Sequence, residues 1–174
     1  INLSSQSQGV KGMFLTDDKG EKWKAISAFP TIQGVKNIAG VNTYLVVRDP
    51  SDDNTLYIGS RGQGLYYSYN NGSSWQSVPF MNNKFVYSVA IDPKDKCNIY
   101  ATDGAHVYKS EDCTRTWKLS FTEERTNLRI TDLTIDSIDS KIIYASQLNG
   151  DVIKSTDSGN SWLVVKRFGF DIRN

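Results

Sequence analysis

Short apolar runs separated by small polar turn residues make up most of the chain, and they return in a fixed order. Leu56-Tyr57-Ile58-Gly59, Ile99-Tyr100-Ala101-Thr102 and Ile143-Tyr144-Ala145-Ser146 place Tyr57, Tyr100 and Tyr144 in register. A Gly-bearing link follows each of them, Arg61-Gly62-Gln63-Gly64, Asp103-Gly104 and Asn149-Gly150 in turn. Next comes a second run, Leu65-Tyr66-Tyr67, Val107-Tyr108-Lys109 or Val152-Ile153-Lys154, which Met13-Phe14-Leu15 repeats near the start. Upstream of each pair lies a further run that ends in an acidic turn: Val46-Val47-Arg48-Asp49-Pro50, Val89-Ala90-Ile91-Asp92-Pro93 and Leu133-Thr134-Ile135-Asp136-Ser137. Runs this short, rich in β-branched and aromatic residues and joined by Gly turns, predict strands and hairpins. No window keeps an apolar period near 3.6 residues, so almost no helix is expected.

The second run always leads into one octapeptide, Ser/Thr-x-Asp/Asn-x-Gly-x-Ser/Thr/Lys-Trp. It covers 16–23, 68–75, 110–117 and 155–162, and it holds every tryptophan of the chain, Trp23, Trp75, Trp117 and Trp162. These lie 52, 42 and 45 residues apart, a period that belongs to repeat architectures. Asp18, Asn70, Asp112 and Asp157 supply a short side chain that accepts from backbone N–H groups. Gly20, Gly72 and Gly159 follow two residues later and take a positive φ without steric cost. The third copy departs, with Thr114 in place of glycine. Each Trp opens the next strand with a large apolar surface to bury.

This octapeptide resembles the Asp-box (BNR) repeat, a hairpin device on the outer strands of β-propellers in sialidases, sortilin/Vps10 ectodomains, xyloglucanases and photosystem II assembly factors. The resemblance implies an all-β propeller of four-stranded antiparallel blades with Asp-box turns. One domain over 1–174 is expected, with blades near 43–80, 84–121 and 130–166 and a further one from 1–27 together with 168–174. Residues 1–5 align with the second strand of a blade and 168–174 with a first strand, so the two ends complement one another. A closed ring of about four blades satisfies this, and so does part of a larger propeller completed by further blades or by a second copy.

Composition changes the picture little. The 20 basic and 19 acidic residues are interspersed and leave a net charge of +1, so no nucleic acid partner is expected. No apolar run is long enough for a transmembrane segment. The chain starts at Ile1 rather than Met, which fits removal of an export signal. Folding the hairpin about Asp103-Gly104-Ala105 brings Cys97 nearly opposite Cys113, so a disulfide bracing the degenerate turn is expected, and with it an extracytoplasmic or secreted setting.

Catalytic chemistry finds little support. His106 is the single histidine and follows a hairpin turn, and no zinc-type ligand spacing exists. Asp49, Asp52 and Asp53 crowd one loop without a calcium-loop spacing and read as solvated turn acids. No cofactor is expected. Glycoside hydrolysis needs paired carboxylates, or a Tyr with an arginine cluster. Asp132 and Asp171, at equivalent places on innermost strands, would serve if the chain were catalytic, with Glu123 and Glu124 in the loop leading to one of them. The favoured expectation is a non-catalytic scaffold that binds a protein or glycan through one loop face, at Arg61, Gln63, Asn82, Lys84, Arg125 and Arg129. The alternative is a fragment of a sialidase-like or xyloglucanase-like hydrolase.

Overall fold

The computed structural model describes residues 14–25 and 43–167. Among the described residues, fourteen strands form one two-stranded and three four-stranded antiparallel sheets. The hairpin β1 (Phe14–Leu15) and β2 (Lys24–Ala25) comes first. The first full blade is β3 (Thr43–Asp49), β4 (Asp52–Ser60), β5 (Leu65–Ser68) and β6 (Gln76–Ser77). The second is β7 (Ser88–Asp92), β8 (Asp95–Thr102), β9 (His106–Ser110) and β10 (Lys118–Thr122). The third is β11 (Ile130–Ile135), β12 (Ile143–Gln147), β13 (Val152–Ser155) and β14 (Leu163–Lys166). Strand order within each blade follows chain order, which is the up-and-down meander of a β-propeller. The only helical turn among the described residues is the short 3-10 segment Pro79–Met81. Residues 1–13 and 168–174, and with them the complementarity of the two chain ends, lie outside the described residues.

The four Asp-box turns share one hydrogen-bond set. The hydroxyl of Thr16, Ser68, Ser110 or Ser155 donates to the Asp or Asn side chain two residues on, at 2.8–3.0 Å. That same hydroxyl accepts the N–H of Gly20, Gly72, Thr114 or Gly159, also within 3.0 Å. The carboxylate or amide oxygen then accepts the N–H of Lys22, Ser74, Thr116 or Ser161 at 2.8 Å. Backbone donors left orphan by the tight turn are thereby satisfied. In the last copy, bonds from the hydroxyl and the N–H of Ser161 hold the Asp157 carboxyl down to about 2.

Two consecutive residues of each turn adopt the left-handed region. Beside Gly20, Gly72 and Gly159, the preceding Lys19, Asn71 and Ser158 have φ of 52–61°. In the third copy both positions lack glycine, with Cys113 at 57° and Thr114 at 71°. Cys113 is disulfide-bonded to Cys97, and its N–H donates to the Cys97 carbonyl at 3.2 Å, so the strained turn is tied to the start of β8. A β-branched residue at this φ costs about 1–2 kcal/mol. Glycine there gives back roughly 0.4–1 kcal/mol through the unfolded chain. Thr114→Gly is therefore expected to stabilise the protein by about 0.5–1 kcal/mol, read as a higher urea midpoint with the disulfide intact.

The core lies between consecutive blades. One cluster joins Tyr57, Leu65, Val78 and Met81 to Val89, Ile99, Tyr108 and Trp117 across the first and second blades. Another joins Ala90, Tyr100 and Val107 to Ile130, Leu133, Ile143 and Ile153 across the second and third. Each Trp of these junctions faces the preceding blade: Trp117 stacks on Phe80 at 6.2 Å, and Trp162 packs on Phe121 at 5.9 Å. Burial of the tryptophans is uneven, contrary to the uniform expectation for the motif. Trp75 and Trp117 are buried at 2% and 9% exposure, whereas Trp162 is half-buried and Trp23 is 60% exposed. Trp162 meets the preceding blade through Phe121 and the Ser120 hydroxyl, to which its indole N–H donates at 3.0 Å. Tyr100 reaches the following blade, donating to the Ser158 carbonyl, whereas Tyr144 lies on the last described blade and is only half-buried while its counterparts Tyr57 and Tyr100 are buried.

Candidate functional site

In an antiparallel meander, the β4–β5 and β8–β9 turns and the links between blades emerge at one end of the sheets. There the first two blades are sewn together by backbone. The N–H of Gly64 donates to the Lys84 carbonyl at 3.0 Å, that of Val86 to Ser60 at 3.0 Å and that of Tyr87 to Thr102 at 2.9 Å. These bonds explain why 84–87, expected to begin the first strand of the second blade, stand apart from it as a bridge and β7 starts at Ser88. Gly62 and Gly64, at φ of 88° and 94°, form a hairpin turn.

Bridging this way places three rings side by side. Tyr44 from β3 meets Phe85 at 5.0 Å and Tyr87 at 5.9 Å, both edge-on, and Phe85 stacks on Tyr87 at 4.0 Å. Arg61 lies over Tyr44 at 5.1 Å, and Arg129 lies over Tyr87 at 6.0 Å while donating to its hydroxyl at 2.8 Å. The result is a continuous strip, Arg61–Tyr44–Phe85/Tyr87–Arg129, with Tyr44 at 42% exposure. Neither guanidinium has a carboxylate partner among the described residues. Beside the strip opens a cleft of about 400 Å³ lined by Phe85, Tyr87, Asp103, Glu123, Glu124, Arg125 and Leu128 among others.

Two further basic residues of this face are engaged in the scaffold. Lys84 Nζ donates to Asp103 Oδ2 and to the Tyr108 hydroxyl, each at 3.0 Å, and Tyr108 donates to Asp103 Oδ2 at 2.9 Å. His106 closes this cluster through Nδ1, 3.1 Å from Asp103 Oδ1. Burial alone would push the Asp103 carboxyl up; the bonds from Lys84, Tyr108 and His106 outweigh it and hold the carboxyl below the usual range. Arg125 forks onto Glu123 at 2.7 and 2.9 Å, reaches Gln147 Oε1 at 3.0 Å and lies 3.7 Å from Asp151. Gln147 Nε2 also donates to Glu123 Oε2. Asn82 and Gln63 are exposed at the rim of the face. The four basic residues therefore divide: Arg61 and Arg129 present their charge on aromatic rings, and Lys84 and Arg125 close ion pairs that hold loops.

Bonding to Arg125, above all, keeps the Glu123 carboxyl below its ordinary value of about 4.5, against the opposing effect of burial. A carboxyl depressed on folding contributes stability that is fully present above its unfolded pKa and lost as pH falls through the folded one. Glu123→Gln is thus expected to melt below the parent at neutral pH and to converge with it below about pH 4.5, checked by melting curves across pH.

The remaining acidic candidates are dispersed. Asp132, exposed on β11, accepts from the Ser88 hydroxyl at 2.7 Å, and that hydroxyl in turn accepts the Leu133 N–H at 3.1 Å, a link between the second and third blades. Asp171 lies outside the described residues. Asp52 bonds Thr55 and Lys96, and Asp53 bonds Arg48. The aromatic strip escaped the sequence reading, although the alternation of Phe85-Val86-Tyr87 marks two rings on one side of the chain.

Fold and turns together define an Asp-box β-propeller. The family model for Sortilin-Vps10, "Sortilin, neurotensin receptor 3", matches residues 63–169, more than half of the chain, and the chain belongs to this family. A curated relative, the oligoxyloglucan-reducing end-specific xyloglucanase of Emericella nidulans, is 32% identical over 69 residues, which are 39% of this chain and 8% of that protein. An ancestral GH74 enzyme superposes with a TM-score of 0.69 at 20% identity, covering 88% of this chain and 21% of the enzyme. YCF48 bound to D1 peptide superposes with a TM-score of 0.58 at 10% identity, over 71% of this chain and 40% of YCF48. The chain thus spans less than a tenth of that xyloglucanase and about a fifth of the GH74 enzyme.

Proposed function

We propose that this chain is a non-catalytic propeller module that binds a protein or glycan partner through the strip Arg61–Tyr44–Phe85/Tyr87–Arg129, in an extracytoplasmic or secreted setting. The observation that carries this reading is the strip itself. Its exposed Tyr44 ring, the half-buried rings of Phe85 and Tyr87 and two guanidiniums without a described carboxylate partner are held by a backbone bridge, and large amphipathic side chains of this kind supply much of the binding energy at interfaces. The Cys97–Cys113 disulfide supports the oxidising compartment. YCF48, a propeller of the same fold, is a precedent for a peptide ligand.

The test compares the parent with Arg61→Glu/Arg129→Glu in binding to xyloglucan oligosaccharides and to a displayed peptide library. Saturable binding to one probe class, lost in the double variant at unchanged melting temperature, is the expected result. Arg125 is unsuitable for this test because reversing its charge would break the Glu123 pair. A second reading, a piece of a glycan-processing hydrolase, is favoured by the xyloglucanase relative and by Asp132 on an innermost strand. Xyloglucan cleavage that disappears in Asp132→Asn would establish it in place of the first.

A further inference from the structure

The two junctions between full blades are built from equivalent positions, and only one of them is sealed. Asp92 ends β7 and Asp49 ends β3 at the same register, each accepting through Oδ1 from the N–H two residues on, at 2.9 and 2.8 Å. At the second–third junction both carboxylate oxygens of Asp92 are matched, although the Oδ1 of Asn98 beside it has no partner among the described residues. Asn98 donates to Asp92 Oδ2 at 3.1 Å, Ser140 of the third blade donates to Asp92 Oδ1 at 2.7 Å, and Tyr100 donates to the Ser158 carbonyl of the third blade's Asp-box turn at 2.8 Å.

At the first–second junction all three devices are replaced. The position of Asn98 is held by Thr55, whose hydroxyl turns to Asp52 at 2.9 Å. Lys96 stands where Ser140 stands, and its ammonium also goes to Asp52, at 3.2 Å. Tyr57, the counterpart of Tyr100, lies beside Tyr69 of its own blade. What remains is an open cleft of about 250 Å³ lined by Asp49, Asp52, Thr55, Tyr57, Tyr69, Lys96, Cys113 and Arg115. Asp49 is 1% exposed, and no group among the described residues reaches its Oδ2. A buried carboxylate oxygen without a donor is costly, and natural structures rarely leave one so.

We infer that this cleft binds one neutral polyhydroxylated ring, a single sugar unit. Its lining is electroneutral, Asp49 and Asp52 against Lys96 and Arg115, so it exerts no net pull on a cation or an anion. It offers both an acceptor without a donor, Asp49 Oδ2, and a donor without a carboxylate partner, the Arg115 guanidinium, among the described residues. Sugar hydroxyls donate and accept at once, and a pyranose presents a flat C–H face of the kind that Tyr69, 48% exposed, can cover. The volume lies below the ~300 Å³ at which drug-sized pockets begin and suits one ring rather than a chain. The cleft opens among the Asp-box and β3–β4 turns, at the opposite end of the sheets from the aromatic strip, and does not depend on the strip's role.

The repeat supplies its own control. Thr55→Asn installs the amide that seals the other junction and is expected to abolish binding without lowering the melting temperature. The isotope-labelled chain is titrated with glucose, xylose and galactose to tens of millimolar, enough to saturate a roughly millimolar site. Saturable amide shifts centred on 49–55, 69 and 115, weakened at least about tenfold in Thr55→Asn and in Tyr69→Ala, are expected, the tenfold loss corresponding to about 1.4 kcal/mol. The absence of saturable shifts with all three sugars overturns the inference, because the junction is then filled by water alone. Shifts that persist in Thr55→Asn overturn it as well, and if that variant fails to fold, Tyr69→Ala decides by the same criterion.

Discussion

Trp117→Ala is expected to destabilise the protein by about 3–5 kcal/mol, the usual cost of emptying a buried aromatic site. Trp117 is 9% exposed and belongs to the cluster that joins the first two blades. Its ring lies parallel to Phe80, at an interplanar angle of 10°, and its indole N–H donates to the Thr114 carbonyl at 3.2 Å. Truncation would open a cavity between blades and free the left-handed Cys113–Thr114 turn at once. Trp162→Ala, at the half-buried equivalent, is expected to cost less. Urea unfolding of both variants checks the order; equal losses would show that burial between blades is not what the motif's Trp contributes.

Gly64→Ala is expected to cost roughly 2–5 kcal/mol, summing about 1–2 for a positive φ and 1–3 for overpacking. An added Cβ would stand 2.5 Å from the Met81 carbonyl oxygen and 3.0 Å from its carbon, both backbone atoms that cannot rotate away. The contact lies where Gly64 donates to Lys84, so relief would require separating the two blades. Gly62→Ala is the matched control: φ is 88°, and a Cβ there meets nothing within 4 Å. Only the conformational cost of about 1–2 kcal/mol is expected for it. Comparable losses in both variants would mean that the blade contact does not constrain Gly64. Since the same backbone bridge carries Phe85 and Tyr87, Gly64→Ala should also weaken any ligand held by the aromatic strip, whereas Gly62→Ala should not.

Much of this molecule is local in origin and therefore legible in the chain. The Asp-box turns close within eight residues, so Asp18, Asn70, Asp112 and Asp157 and their hydroxyl partners could be assigned from spacing alone. The meander of short strands follows from apolar runs separated by tight turns, and Cys97 and Cys113 come together because one hairpin folds back on itself. Even here the chain left something unread. The residue before each Asp-box glycine is also left-handed, a property of backbone geometry that Lys19 or Ser158 does not announce.

Tertiary structure decided whatever joins residues of different blades. Arg61 and Arg125 look alike as loop arginines, but Arg125 falls beside Glu123 and Gln147, and Arg61 falls over Tyr44. The strip itself unites β3 with the bridge that opens the second blade, positions some forty residues apart. Trp117 and Trp162 occupy the same place in their repeats and differ in burial: Trp117 stacks on Phe80 within the cluster that joins the first two blades, and Trp162 meets Phe121 and Ser120 and stays half-buried. Asp49 and Asp92 likewise share a motif and differ in whether Thr55 or Asn98, Lys96 or Ser140, stands opposite. A repeat encodes its own turns and strands, because those hydrogen bonds span a few residues. The spaces between repeats are set by pairs of side chains that the sequence keeps far apart and only packing brings within reach.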